Sequence, residues 1–162
     1  TSIRTAEALY QACRFPHLPD VQATIIAQPS PMTAKMVSKP YRTQTRDDWE
    51  RVRVRVMRWC LQVKLAQHLK SFGDLLLATG DKSIVEQSRK DSFWGAKADG
   101  EALLVGTNIL GRLLVELRDT FRSDSDALKV VNPPQVEEFM LFGKLIPTVV
   151  SARHSEVQPG QD

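Results

Sequence analysis

Residues 47–68 read DDWERVRVRVMRWCLQVKLAQH, and the fold turns on how this stretch is interpreted. Within it, Arg51-Val52-Arg53-Val54-Arg55-Val56 alternates with a period of two, as a half-buried strand does. Over a wider window Trp49, Val52, Val56, Cys60 and Val63 recur at three and four, which is the helical period. No glycine or proline interrupts the chain between Thr43 and Phe72, and Asp47 or Asp48 can cap the start. The stretch is therefore predicted to form one helix over about residues 47–68.

Upstream, Thr5 is a plausible N-cap, and Ala6, Leu9, Tyr10 and Cys13 fall on one helical face. Glu7, Gln11 and Arg14, spaced four and three apart, form a neighbouring polar face. Pro16 ends this helix. Pro19 opens a second helix that runs through Ile25 and Ile26. Ser30-Pro31 caps a third carrying Met32, Lys35 and Met36, which must stop before Pro40. Downstream, Phe72, Leu75 and Leu76 suggest a short helix with Gly80 as its stop, and Ile84-Val85 suggest a short strand. A long polar segment over residues 88–107 comes next, of a length that is usually functional or disordered. Ile109, Leu110, Leu113, Leu114, Leu117 and Phe121 then mark a last helix. The expected fold class is mainly α, that is α+β with minor short strands, in one compact domain.

The chain has 162 residues, 42% hydrophobic and 25% charged, with a net charge of +3. That is ordinary for a globular domain and excludes disorder of the whole chain. No apolar run reaches the ~18 residues of a membrane span and no signal-peptide pattern is present. Cys13 and Cys60 sit in apolar helical patterns and read as buried structural thiols, so a cytoplasmic setting is expected. His17, His68 and His154 lack companions at ligand spacing, so no metal and no cofactor is expected. Neither a dinucleotide-binding glycine motif nor a P-loop nor a nucleophile elbow occurs.

Four features admit both a bland and a functional reading. Glu7 is a cap-region glutamate favoured by the helix dipole, or a site carboxylate. Trp94 is a satellite core residue, or a platform on which a planar ring stacks. Gly111 breaks a good helix at about 1 kcal/mol against alanine, for helix packing or for close ligand approach. The basic stretch around Arg51, Arg53, Arg55 and Arg58 is a solvated helix face, or a phosphate-binding one.

Six blocks in order give a more specific signal: TAEALYQA at 5–12, SPMTAK at 30–35, RDDWE at 46–50 running on to Met57 and Lys64, LLLATG at 75–80, IVEQSRKDSFWG at 84–95, and GTNILG at 106–111 followed by Leu114 and Arg118. Together they resemble the NADAR family, named for its association with NAD and ADP-ribose. The family's usual Ser-Asn-aromatic segment ahead of the glutamate helix is not in this sequence, and residues are expected to be missing upstream. The resemblance implies a catalytic domain over residues 1–122. Residues 123–150 are expected to be a docked C-terminal extension, similar to that of members accompanying DNA ADP-ribosyltransferase toxins, and 151–162 a disordered tail.

Known activities of the family share one bond type. Some members hydrolyse the N-glycosidic bond of phosphorylated riboflavin-pathway intermediates; others remove ADP-ribose from guanine in DNA as antitoxins. The resemblance implies Glu7, Lys35 and Asp91 as catalytic. It implies Tyr10, Gln11, Glu86, Trp94, Gly95, Asn108 and Gly111 as substrate-binding. Lys35 could bind phosphate, or attack the anomeric carbon to give a Schiff base. Because the positive charge concentrates on one helix, Arg51, Arg55 and Arg58 are expected to contact single-stranded DNA. ADP-ribosylated guanine in DNA is placed ahead of a riboflavin intermediate as substrate, with a cognate toxin as a further partner and no membrane. A module that only binds ADP-ribose or NAD, and a purely structural helical partner, are the alternatives.

Overall fold

The computed structural model describes residues 2–151. Three short helices come first, α1 (Ala6–Ala12), α2 (Pro19–Ile26) and α3 (Pro31–Ser38). A 3-10 turn over Lys39–Gln44 leads to α4 (Trp49–Gln67), followed by α5 (Leu69–Ala78). A hairpin of β1 (Lys97–Ala98) and β2 (Leu104–Val105) precedes α6 (Ile109–Ser123). The described residues end in β3 (Val130–Val131), β4 (Met140–Leu141), β5 (Lys144–Leu145) and β6 (Val149–Val150). There β3 pairs with β6 and β4 with β5, both antiparallel.

The arginine–valine alternation thus lies inside one helix, and its predicted stripe of Trp49, Val52, Val56, Cys60 and Val63 is buried in full. The helical period wins because only it places all five on the core side. Asp48 occupies the N-cap position without capping by its side chain. Its carboxylate takes two hydrogen bonds from Arg46 instead, and these hold its pKa below the usual carboxylate range. Upstream, the Thr5 hydroxyl accepts from the Ala8 N–H, and Ser30 and Thr33 form a reciprocal capping box, so both helix starts form where the cap residues stand.

The core gathers α1, α2 and α4 around Leu9, Phe15, Ile25, Val56 and Leu65. Cys13 and Cys60 are buried there as free thiols, and burial, with Cys13 alongside, pushes the Cys60 thiol well above its ordinary pKa. The C-terminal segment adds Leu128, Val131, Phe139 and Ile146 to the same core. Phe139 meets Trp59 edge-on at 4.9 Å, while Arg46 and Arg55 donate to the carbonyls of Glu137 and Gln135. Apart from Ser151, the tail predicted over 151–162 lies outside the described residues.

One expectation fails. Ile84-Val85 forms no strand. Its backbone pairs with a side chain: Asn108 Nδ2 donates to the Ile84 carbonyl at 2.9 Å, and Asn108 Oδ1 accepts from the Glu86 N–H at 3.0 Å. The amide takes the place of a partner strand, so the β-branched residues here stand outside any sheet. In α5, Leu76 is buried but Leu75 is exposed.

Candidate active site

The long polar segment is ordered by backbone hydrogen bonds that end a helix. The first N–H groups of a helix have no intrahelical partner. At α6 those of Ile109 and Leu110 donate to the carbonyls of Phe93 and Trp94, and those of Thr107 and Asn108, just ahead of it, donate to Ser92 and Gly95. Asp91 completes the turn, its Oδ1 accepting from the N–H groups of Phe93 and Trp94 at 2.9 Å each.

Glycines let these segments approach. A Cβ on Gly95 would stand 2.5 Å from the Glu86 carbonyl oxygen, and one on Gly106 would stand 2.5 Å from that of Gly95. A Cβ on Gly111 would stand 2.1 Å from the Ile84 carbonyl. Asn108 itself takes a left-handed conformation (φ 52°), which asparagine tolerates better than most residues. The most distinctive block of the sequence is therefore a scaffold whose product is the fixed position of Phe93 and Trp94.

Trp94 lies against Tyr10 of α1, edge-on at 5.4 Å, and Tyr10 lies against Trp49 of α4 at 4.9 Å. Arg14 stacks over Trp49 at 4.8 Å, and Arg53 over Phe93 at 4.0 Å and Trp94 at 5.9 Å. The result is a cluster of aromatic rings flanked by two guanidiniums, both of which act on the Tyr10 phenol, an arrangement that cation–π attraction favours. Burial raises the Tyr10 phenol above its ordinary range, against the lowering pull of Arg14 and Arg53, so it stays a neutral donor. Burial, and after it the Arg42 guanidinium, lower Arg14 below the ordinary arginine value.

Glu7 lies on the helix that also carries Tyr10. Its Oε1 accepts from Gln11 Nε2 at 2.8 Å and faces Lys35 Nζ of α3 at 3.7 Å. The Glu7 side chain keeps 18% of its surface exposed and that of Lys35 56%, so solvent reaches both. A carboxylate with an ammonium 3.7 Å from its oxygen can serve as base and acid towards a ligand.

Of the residues predicted from sequence, Glu7, Tyr10, Gln11, Lys35 and Trp94 come together. Asp91 and Gly95 serve the loop that presents Trp94. Glu86, Asn108 and Gly111 group around residues 84–86, where both ends of the Asn108 amide are engaged. Asn108 and Gly111, but not Glu86, line an open groove of about 480 Å³ with Ser83, Val85, Leu104, Thr107 and Arg112.

The basic residues separate by face. At about 100° per residue, Arg53 lies roughly 140–160° around α4 from Arg51, Arg55 and Arg58. Arg58 pairs with Glu116 at 2.8 Å and Arg55 holds the Gln135 carbonyl at 3.1 Å. The predicted DNA-contacting arginines are thus on the far side of the helix, and two of the three have partners within the chain. Sequence reasoning passed over Arg53 as a site residue. No spacing in the sequence singles it out, because the rings it stacks on, Phe93 and Trp94, lie in a distant loop.

The fold and sequence have known counterparts. The NADAR domain matches residues 1–122. A riboflavin biosynthesis protein, VVA0006 of Vibrio vulnificus, is 32% identical over 147 residues, covering 86% of this chain and 38% of that protein. N-glycosidase Npun_R5314 of Nostoc punctiforme is 34% identical over 121 residues, 74% of each chain. N-glycosidase YbiA of Escherichia coli is 39% identical over 90 residues, and the chain spans 53% of its length. The NMR structure of E. coli YbiA superposes with a TM-score of 0.62 at 32% identity, covering 76% of this chain and 70% of that one. With the family pattern running from the α1 glutamate through the α6 scaffold, the chain belongs to the NADAR domain family.

Proposed function

We propose that this chain is an N-glycosidase that hydrolyses the bond between a ribose phosphate and a nitrogen of a planar base. The observation that carries the reading is the Glu7 carboxylate, bound by Gln11 and Lys35 on the helix that also carries Tyr10, whose ring meets Trp94 and Trp49. The base lies against the rings and the anomeric carbon lies at Glu7. The C1′–N bond breaks as water attacks C1′. Glu7 takes the proton from the water, and the Lys35 ammonium gives one to the departing nitrogen. The proton on Glu7 then returns to Lys35 across 3.7 Å, restoring both groups. As charge builds at C1′, the carboxylate also stabilises the cation-like sugar.

Two observations favour a phosphorylated riboflavin-biosynthesis intermediate as substrate. The relatives named above are one riboflavin biosynthesis protein and two N-glycosidases. The Arg51, Arg55 and Arg58 face, on which the reading of ADP-ribosylated guanine in DNA rests, lies across α4 from Arg53, which stacks on Phe93 and Trp94. Both substrates share the bond that Glu7 would cleave, so one assay separates them. Release of ribose 5-phosphate from a phosphorylated ribosylaminopyrimidine is followed beside release of ADP-ribose from modified single-stranded DNA, at rising salt. The expected result is faster cleavage of the metabolite, with KM on it changing little with salt. Faster cleavage of the DNA, with KM rising steeply with salt, would reverse the choice of substrate. Cleavage of neither would overturn the glycosidase itself.

A further inference from the structure

Four donors in the aromatic cluster have no acceptor among the described residues: the Tyr10 hydroxyl, Trp49 Nε1, and the Nε atoms of Arg14 and Arg53. All four atoms are buried, and the ring contacts set their residues side by side. Buried polar groups are nearly always satisfied, and leaving one unpaired is costly. A cluster of unsatisfied donors is therefore a statement about what binds. Three of the four are N–H groups that cannot accept, and two belong to full positive charges. The matching ligand carries several acceptor oxygens and negative charge, which describes a phosphate.

We propose that Arg14 and Arg53, with the Tyr10 hydroxyl and the Trp49 indole N–H, form the subsite for the substrate's phosphate. The assignment rests on the N-glycosidase reading for its substrate but not for its chemistry. Gln11 supplies the other half. Its Nε2 is spent on Glu7, while its buried Oε1 has no donor among the described residues. A sugar hydroxyl supplies one, next to the carboxylate that acts on C1′. The sugar then lies at Glu7 and Gln11, and its phosphate lies towards the arginines. Entry is open on the Arg53 side, whose side chain keeps 23% exposure and pairs through Nη2 with the exposed Glu50 at 3.0 Å. That pair leaves the Arg53 Nε uncommitted. The lowering of Arg14 by burial and by Arg42 fits the same picture, since an anion at this point relieves both.

The test is calorimetric binding of ribose, ribose 5-phosphate and ADP-ribose to the chain, with no turnover read. Ribose 5-phosphate should bind at least about 10-fold more tightly than ribose. Arg14→Gln and Arg53→Gln should each cost about 10-fold or more of that affinity, the usual worth of a charge-assisted hydrogen bond. Tyr10→Phe should weaken ribose 5-phosphate while leaving the thermal midpoint of the free protein unchanged or higher, because it deletes an unpaired buried hydroxyl. That opposite movement keeps the test valid if an arginine variant folds poorly. Tighter binding of ADP-ribose than of ribose 5-phosphate would assign the subsite to a diphosphate. Equal affinity would assign it to a single phosphate. Binding of ribose 5-phosphate no tighter than ribose would overturn the subsite. So would retention of affinity within twofold by both glutamine variants. A chain that binds ribose 5-phosphate in this pattern yet cleaves nothing would sink the glycosidase and leave the subsite standing.

Discussion

At the level of single residues, the chemistry turns on what Lys35 does beside Glu7. An ammonium 3.7 Å from a carboxylate oxygen serves as proton donor, while attack on the anomeric carbon needs its amine. The two roles separate by substitution. Lys35→Arg keeps the charge, but a guanidinium gives up its proton poorly and forms no Schiff base. Turnover should fall about 10²–10⁴-fold in that variant, the usual loss for an acid or base group. Near-normal turnover would make Lys35 a charge contact only. Borohydride trapping of a covalent adduct would replace proton donation with Schiff-base chemistry. Glu7, Gln11 and Lys35 were readable from their motifs and helical spacing. Arg53 was not, because in Arg51-Val52-Arg53-Val54-Arg55-Val56 every arginine looks alike until Trp94 is in place to select one. No pattern along the chain encodes which turn of α4 a loop more than thirty residues downstream will meet.

At the scale of elements, the region around α6 is where sequence reasoning met its limit. Ile84 and Val85 carry the residue preference of a strand, but the partner of this segment's backbone is the Asn108 amide. A side-chain partner leaves no periodic trace in the sequence. Gly111 was ambiguous for the same reason, since its neighbour is the Ile84 carbonyl and not another helix face. The geometry now decides its role. On an exposed helix Gly→Ala would gain about 1 kcal/mol. Here the added methyl meets a backbone oxygen at 2.1 Å, held in place by Asn108. Gly111→Ala should therefore lose about 1–3 kcal/mol, as overpacking does. For a domain of this size that lowers the melting midpoint by roughly 2–4 °C per kcal/mol. A midpoint that rises would show that the 84–86 segment is free to move off α6.

At the scale of the whole molecule, the helical class and the order of helices followed from caps, prolines and the choice of period in residues 47–68. The membership of the core followed from the same periodicity, and the participation of Phe139 and Ile146 extends it into the C-terminal segment. The choice of substrate did not follow. Net charge and arginine count suggested nucleic acid, yet charge summed along a helix ignores the face on which it lies. Arg55 and Arg58 are committed to Gln135 and Glu116, while the guanidiniums beside the aromatic cluster are Arg14 and Arg53. The central claim is that one carboxylate, Glu7, carries hydrolysis of the N-glycosidic bond. It is tested most directly by single-turnover cleavage of the phosphorylated ribosylaminopyrimidine by Glu7→Gln, with the fold checked by its melting midpoint. The Glu7→Gln fold should be unchanged and its rate lower by about 10²–10⁴, equivalent to roughly 3–5 kcal/mol of barrier. A rate within threefold of the parent would contradict it.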